Sequence, residues 1–196
     1  MPIKVNSFLN KCINFLESIT SVAITSDNKF IISGSRDESL KMFDLQKKQE
    51  VHHFQNAHQG FVNSIAITPD NKYIISGSQD CSIKIFDLST KQEVHHFKTA
   101  HLDSINTVAI TSDNRFIISG SSDQSIKVFD LHSKQEVHHF QNAHQSLIHS
   151  VVITPNNRFI ISGSDDKSIK IFDLGTQQEA PFFQYPRQGK FYLHYF

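Results

Sequence analysis

"SGSRDES" runs from Ser33 to Ser39, and the chain writes it again as "SGSQDCS" from Ser76, "SGSSDQS" from Ser119 and "SGSDDKS" from Ser162. Five of the seven letters never change, while the fourth and sixth differ in every copy. Gly34, Gly77, Gly120 and Gly163 lie 43 residues apart with no insertion or deletion, and Asp44, Asp87, Asp130 and Asp173 keep the same period. A fixed period of about 20 to 50 residues is the mark of a repeat architecture, and it decides the fold before any single residue does.

The second unit reads as four short strands. "SIAIT" from Ser64 is a β-branched run, closed by Pro69-Asp70-Asn71, where Pro presets the turn and Asn tolerates the left-handed backbone. "KYIISGS" follows as a strand that is almost wholly apolar and therefore covered on both faces. Its glycine is expected to permit a close approach of backbone. After Gln79-Asp80-Cys81 come "SIKIFDL", the polar turn "STKQ" and "EVHHF". Four antiparallel strands per 43 residues make one propeller blade, and blades stack because none can bury its own faces. Within the repeat, no segment sustains the 3.6-residue apolar spacing of a helical repeat. The fold class is therefore all-β: a propeller of four four-stranded antiparallel blades, forming an open or partial ring. The boundaries fall at an N-terminal extension (1–17), four repeats (18–60, 61–103, 104–146 and 147–184) and an aromatic tail (185–196).

The formal net charge is zero, which is no footprint for a nucleic-acid phosphate backbone or an anionic membrane surface. No apolar run approaches the roughly 18 residues of a membrane span. Cys12 and Cys81 stand at unrelated repeat positions, and no Asn-x-Ser/Thr acceptor is present. These features point to a reducing, intracellular location, the cytoplasm first and the nucleus second.

The "SGSxDxSIKIFD" stretch of each unit, with Ala57-His58, Ala100-His101 and Ala143-His144, resembles the WD-repeat family. Phe43, Phe86, Phe129 and Phe172 stand where that family has Trp, and Ala stands where it has Gly before His. The resemblance implies a buried network in each blade: His58, Ser76 and Asp80; His101, Ser119 and Asp123; His144, Ser162 and Asp166. A buried imidazole needs both nitrogens satisfied, which a carboxylate and a hydroxyl can do. Phe brings no N–H, so the network is expected to be a triad. Phe15 occupies the histidine register of the first unit, leaving Ser33 and Asp37 to other partners.

Ser, His and Asp within reach of one another also admit a hydrolase or metal site. The constellation occurs three times, however, and no Gly-x-Ser-x-Gly elbow accompanies it. His52-His53, His95-His96 and His138-His139 sit on the outermost strand, where neighbours point to opposite faces and cannot chelate one ion together. They read as a solvated edge. Lys41, Lys84, Lys127 and Lys170 read as snorkelling side chains with their ammonium groups in water. No catalytic residue, metal or cofactor is assigned.

The letters that vary point to recognition. They are Arg36, Gln79, Ser122 and Asp165 before the turn Asp; Glu38, Cys81, Gln124 and Lys167 after it; and Phe61 with Asn63, Ser104 with Asn106, and Leu147 with His149 entering the first strand. In a meander these three sets share one end of the blade, while the turn between the third and fourth strands, which also varies (Gln46-Lys47, Ser89-Thr90, His132-Ser133 and Gly175-Thr176), lies at the other. Loops on a rigid scaffold carry recognition residues. Arg36, Phe61 and Leu147 are the candidate anchors for a partner protein. The expected function is a non-enzymatic scaffold for protein–protein interaction. The alternatives are a hydrolase or metal site built on the repeated Ser, His and Asp, or a fragment of a larger regulatory WD-repeat protein.

Four units are few for this family, whose rings usually hold about seven blades. Two copies could close one ring, a partner could complete the arc, or the array could belong to a longer propeller. "SFLNKCINFLES" reads as a short helix on the first blade or a decayed outer strand. "FYLHYF" from Phe191 reads as the start of a fifth blade.

Overall fold

Each 43-residue unit forms one sheet in the computed structural model, which describes residues 17–181. The segments read above as an N-terminal helix or strand and as a fifth-blade strand lie wholly or almost wholly outside those residues. The first blade is β1 (Ile19–Ile24), β2 (Phe30–Ser35), β3 (Leu40–Asp44) and β4 (Gln49–Phe54). The second is β5 (Val62–Ile67), β6 (Tyr73–Ser78), β7 (Ile83–Asp87) and β8 (Glu93–Phe97). The third is β9 (Ile105–Ile110), β10 (Phe116–Ser121), β11 (Ile126–Asp130) and β12 (Gln135–Phe140). The fourth is β13 (Ile148–Ile153), β14 (Phe159–Ser164), β15 (Ile169–Asp173) and β16 (Gln178–Glu179). Every sheet is an antiparallel meander in chain order.

The turns follow from their letters. Asn28, Asn71, Asn114 and Asn157 turn the first corner at φ of 57 to 62°, the left-handed region that asparagine tolerates. Thr68 Oγ1 closes the same turn by accepting the N–H groups of Lys72 and Tyr73. At the third corner Asp87 accepts the N–H groups of Ser89 and Thr90 at 2.9 and 2.8 Å.

The core lies between blades rather than within them. Ile32, Leu40, Met42 and Phe54 of the first blade pack against Val62, Ile65, Ile74 and Phe86 of the second. The same registers build the second joint from Ile75, Ile83 and Ile85 against Ile105, Val108, Ile117 and Phe129. Ile118, Ile126 and Val128 against Ile148, Val151, Ile160 and Phe172 make the third. Phe54 meets Phe86 edge-on at 5.0 Å between ring centroids, and Phe97–Phe129 and Phe140–Phe172 pair in a tilted arrangement at 4.6 and 4.8 Å.

Glycine in the second strand is fixed by this packing. A Cβ on Gly34 would stand 2.7 Å from Val62 Cγ1, and one on Gly77 would stand 2.7 Å from Ile105 Cγ2. The close approach is thus made by the next blade's side chains and not, as expected, by backbone. The first and fourth blades do not meet, so the arc is open. Val22 is 66% exposed, whereas its counterpart Ile65 is 7% exposed.

Two surface readings need correction. Lys41 is buried beside Glu50, and Lys84, Lys127 and Lys170 reach Glu93, Glu136 and Glu179 at 2.9 to 3.0 Å. The stems lie along the blade as expected, but the ammonium groups pair across to the outer strand. The outer histidines are not a freely solvated edge either. His52, His95 and His138 stand edge-on to Phe54, Phe97 and Phe140 at 4.2 to 4.4 Å, and His53 Nε2 is buried without a partner.

Candidate functional site

The loop leading into each of blades two to four carries one histidine into that blade. Buried Ala57, Ala100 and Ala143 precede these histidines, and the His58 N–H donates to Glu38 O in the second turn of the preceding blade. His101 and His144 repeat the bond to Cys81 O and Gln124 O. Each imidazole is thereby carried under the loop to the second strand.

The His58 ring then meets three side chains. Its Nδ1 lies 3.0 Å from Asp80 Oδ2 and 3.1 Å from Ser82 Oγ, and its Nε2 lies 2.7 Å from Ser76 Oγ. Burial alone would raise the Asp80 carboxyl, but hydrogen bonds from His58, Ser82 and the Gln59 N–H overcome it and hold the group well below the usual carboxylate range. An ionised carboxylate only accepts, so Nδ1 carries the proton and the Ser76 hydroxyl donates to Nε2. Asp123 and Asp166 are depressed in the same way beside His101 and His144. Ser119 and Ser162 sit 2.7 Å from the respective Nε2 atoms.

The seventh letter of the repeated stretch belongs to this network, which sequence reasoning missed. Ser82 Oγ donates to Asp80 Oδ1 at 2.6 Å, and Ser125 and Ser168 do the same to Asp123 and Asp166. The set is a tetrad rather than a triad. The third letter is engaged as well, since Ser78 Oγ donates to Gly60 O while accepting the Asp80 N–H. The invariance of both serines across four copies was the available signal.

The tetrad has the connectivity of a nucleophile, base and orienting acid. It lacks access. Ser76 and Ser119 are 0% exposed and His58 is 1% exposed, so no acyl or phosphoryl group can reach the hydroxyl. The hydrogen bonds of each tetrad tie a loop to a blade. Among the described residues no group of three or more His, Cys, Asp or Glu side chains is arranged to hold a metal ion. Burial, followed by the charges of Asp103, Asp80 and Asp123, raises the Cys81 thiol and keeps it protonated.

The varying positions lie around these tetrads, at the loop end of the arc. Arg36 N–H bonds Ser18 O, Gln79 N–H bonds Phe61 O, Ser122 N–H bonds Ser104 O, and Asp165 N–H bonds Leu147 O. Turn and loop letters are thus adjacent in every blade. Glu38, Cys81, Gln124 and Lys167 hold φ of 66 to 69° at the turn apex. The Arg36 guanidinium sits 5.5 Å over the Phe61 ring. Gln79, Gln124, Asp165 and Lys167 are exposed, and His149 Nε2 contacts Asp165 Oδ1 at 2.6 Å. Asn63 and Asn106 are already engaged, their amides donating to Ile105 O and Ile148 O of the next blade at 2.9 Å. Leu147 is half-buried.

Leu102, which the comparison of repeats passed over, is 93% exposed at this same end, its N–H donating to Asp123 Oδ2. The signal was there: Gln59 and Gln145 occupy the same register, one residue after the fixed histidine.

Sheets of this topology, stacked by the inner strand of each on the face of the one before, define a propeller arc. The chain belongs to the WD40 family: the WD domain, G-beta repeat matches residues 10–44, 48–87, 91–130 and 134–173. The latter three matches run from the outer strand of one blade through the third strand of the next. Among solved structures it is similar to the WD40 repeats of RRP9 and to U3-55K, each with a TM-score of 0.78 and 22% identity over 85% of this chain. The chain covers 51% and 52% of those two chains, so it spans about half their length. Comparison with curated proteins finds no match. Among the described residues, no helix is long and apolar enough to cross a membrane.

Proposed function

We propose that this chain is a WD40 scaffold that holds other proteins against the loop end of the arc, without catalysis of its own. The surface comprises Arg36, Glu38, Phe61, Gln79, Cys81, Ser104, Ser122, Gln124, Leu147, His149, Asp165 and Lys167, joined by Leu102. Asn63 and Asn106 act beneath it as joint-forming residues. Phe43, Phe86, Phe129 and Phe172 replace the family's Trp and keep the blades packed without adding a donor to the tetrads.

One observation carries the reading. Side chains that change from unit to unit sit on loops whose backbones are pinned by the unchanging tetrads, and a nearly bare leucine stands among them. A rigid frame under a diversified surface is the arrangement that recognition uses. The partners inferred are proteins; a neutral chain offers no counter-charge to nucleic acid or membrane. The open ends of the arc call for a protein surface too.

Affinity capture with the intact chain tests the assignment. A variant carrying Arg36→Ala, Phe61→Ala and Leu102→Asp is compared with one carrying Lys47→Ala and His132→Ala at the opposite end. Partners should be lost with the first set and retained with the second. Equal capture by both would overturn the assignment of this face.

A further inference from the structure

Each end of the arc carries one half of a joint that the chain builds three times inside itself. At the internal joints the second-strand glycine leaves a recess, which two first-strand side chains of the next blade fill. Val62 and Ile65 fill the recess of Gly34, Ile105 and Val108 that of Gly77, and Ile148 and Val151 approach Gly120. In the fourth blade a Cβ built on Gly163 meets nothing within 4 Å. Around that recess Ile169 is 54% exposed, whereas its counterparts Leu40, Ile83 and Ile126 are fully buried.

The first blade offers the matching half. Ile19 and Val22 hold the registers of Val62 and Ile65, and they stand 41% and 66% exposed. With Ile31 and Ser33 they line an open apolar groove of about 390 Å³. Contiguous apolar surface of this kind marks an interaction site.

The polar groups match as well. At the internal joints the N–H groups of Ile65, Val108 and Val151 donate to Ser21, Ser64 and Thr107 hydroxyls across the joint. The next pair in that series is the Val22 N–H and the Ser150 hydroxyl, at opposite ends of the chain. In the first turns Asn71, Asn114 and Asn157 Oδ1 accept from Ser26, Asp70 and Ser112 N–H of the preceding blade. Asp70 takes over where Pro69 has no N–H. Pro155 repeats that proline, so Asn156 N–H and Asn28 complete the series.

We infer that two copies of this chain close head to tail into one eight-bladed ring, the Gly163 face of each receiving Ile19 and Val22 of the other. A foreign partner would need only an apolar face. A second copy supplies the two knobs, the recess and both polar registers at both junctions. Eight blades fall within the range that propellers adopt. The junction is heterologous, and it ends in a closed assembly because the arcs meet twice.

Sedimentation velocity and light scattering on the full chain test this. The intact chain should give a discrete species at twice 22.4 kDa. Gly163→Leu fills an unoccupied recess and Val22→Asp charges an exposed side chain, so neither disturbs the fold within one copy. Each alone should return the chain to a monomer with an unchanged circular dichroism spectrum. Mixing the two variants should give a weaker dimer held at one junction only, because one retains a sound first blade and the other a sound fourth blade, while the second junction carries both substitutions. Three results would overturn the inference. One is a monomer at every concentration, with segments 1–16 or 182–196 serving as cover; another is an open series of larger oligomers. The third is a dimer indifferent to both substitutions.

Discussion

Ser119 Oγ lies 2.7 Å from His101 Nε2, and neither residue is more than 2% exposed. The bond is thus a buried clamp between the loop that begins the third blade and that blade's second strand. Removing the ring takes one donor from the ionised Asp123, which keeps Ser125 and the Leu102 N–H, and leaves the buried Ser119 hydroxyl without its partner. We expect His101→Ala to lower the unfolding free energy by about 3 kcal/mol, since an unsatisfied buried group costs about 1–3 kcal/mol and a charged one more. Ser125→Ala, which removes one donor to Asp123, should cost about 1 kcal/mol. Urea denaturation followed by circular dichroism measures both.

The same burial predicts silence toward serine-directed chemistry. A fluorophosphonate probe should leave Ser76, Ser119 and Ser162 unlabelled in the folded chain. Labelling that disappears with Ser119→Ala would show that the hydroxyl is reached after all and would reopen a hydrolytic reading.

Acid should unfold the protein in two stages. Burial lowers His52, His95, His96, His138 and His139 from the ordinary value of 6.5. Their protons bind more readily in the unfolded chain, so stability is whole above about pH 6.5 and falls as pH drops below it. Asp80, Asp123 and Asp166 are also depressed, burial being outweighed by their hydrogen bonds. Their contribution is present above the unfolded value of about 3.9 and is lost as pH falls toward the folded value. Thermal midpoints between pH 7.5 and 3 should show both declines. Replacing His95, His96 and His138 with Gln should flatten only the first.

Two glycines at the same repeat position should respond oppositely to one methyl group. Gly77→Ala places a Cβ 2.7 Å from Ile105 Cγ2, and overpacking of this kind costs about 1–3 kcal/mol. Gly163→Ala meets open space and should be neutral. Both are measured in a Val22→Asp background, which keeps the chain monomeric. Equal losses would show that the two faces are not packed differently.

The blades were legible because their determinants are local. Asn71 sets its own turn, and "YIISGS" announces a strand covered on both sides without reference to anything distant. The tetrad was only partly legible. A histidine with a serine and an aspartate completes a triad on paper, and nothing in the letter order says that Ser82 turns its hydroxyl toward both Asp80 and the ring. Lys41 read as a surface residue because its partner, Glu50, lies on the next strand through a bulged register. Leu102 was not legible as a surface residue because its exposure depends on how the loop stands away from the blade.

The side-chain hydrogen bonds that join one sheet to the next link residues 41 to 45 positions apart, from Asn63 with Ser104 to Ser26 with Asn71. Sequence distance along the arc therefore never accumulates: each wedge answers only to the one beside it. Folding can start at any junction and spread in either direction like a zipper, as in a one-dimensional array. Excising 43 residues between equivalent positions would leave a shorter chain with every surviving junction still in register.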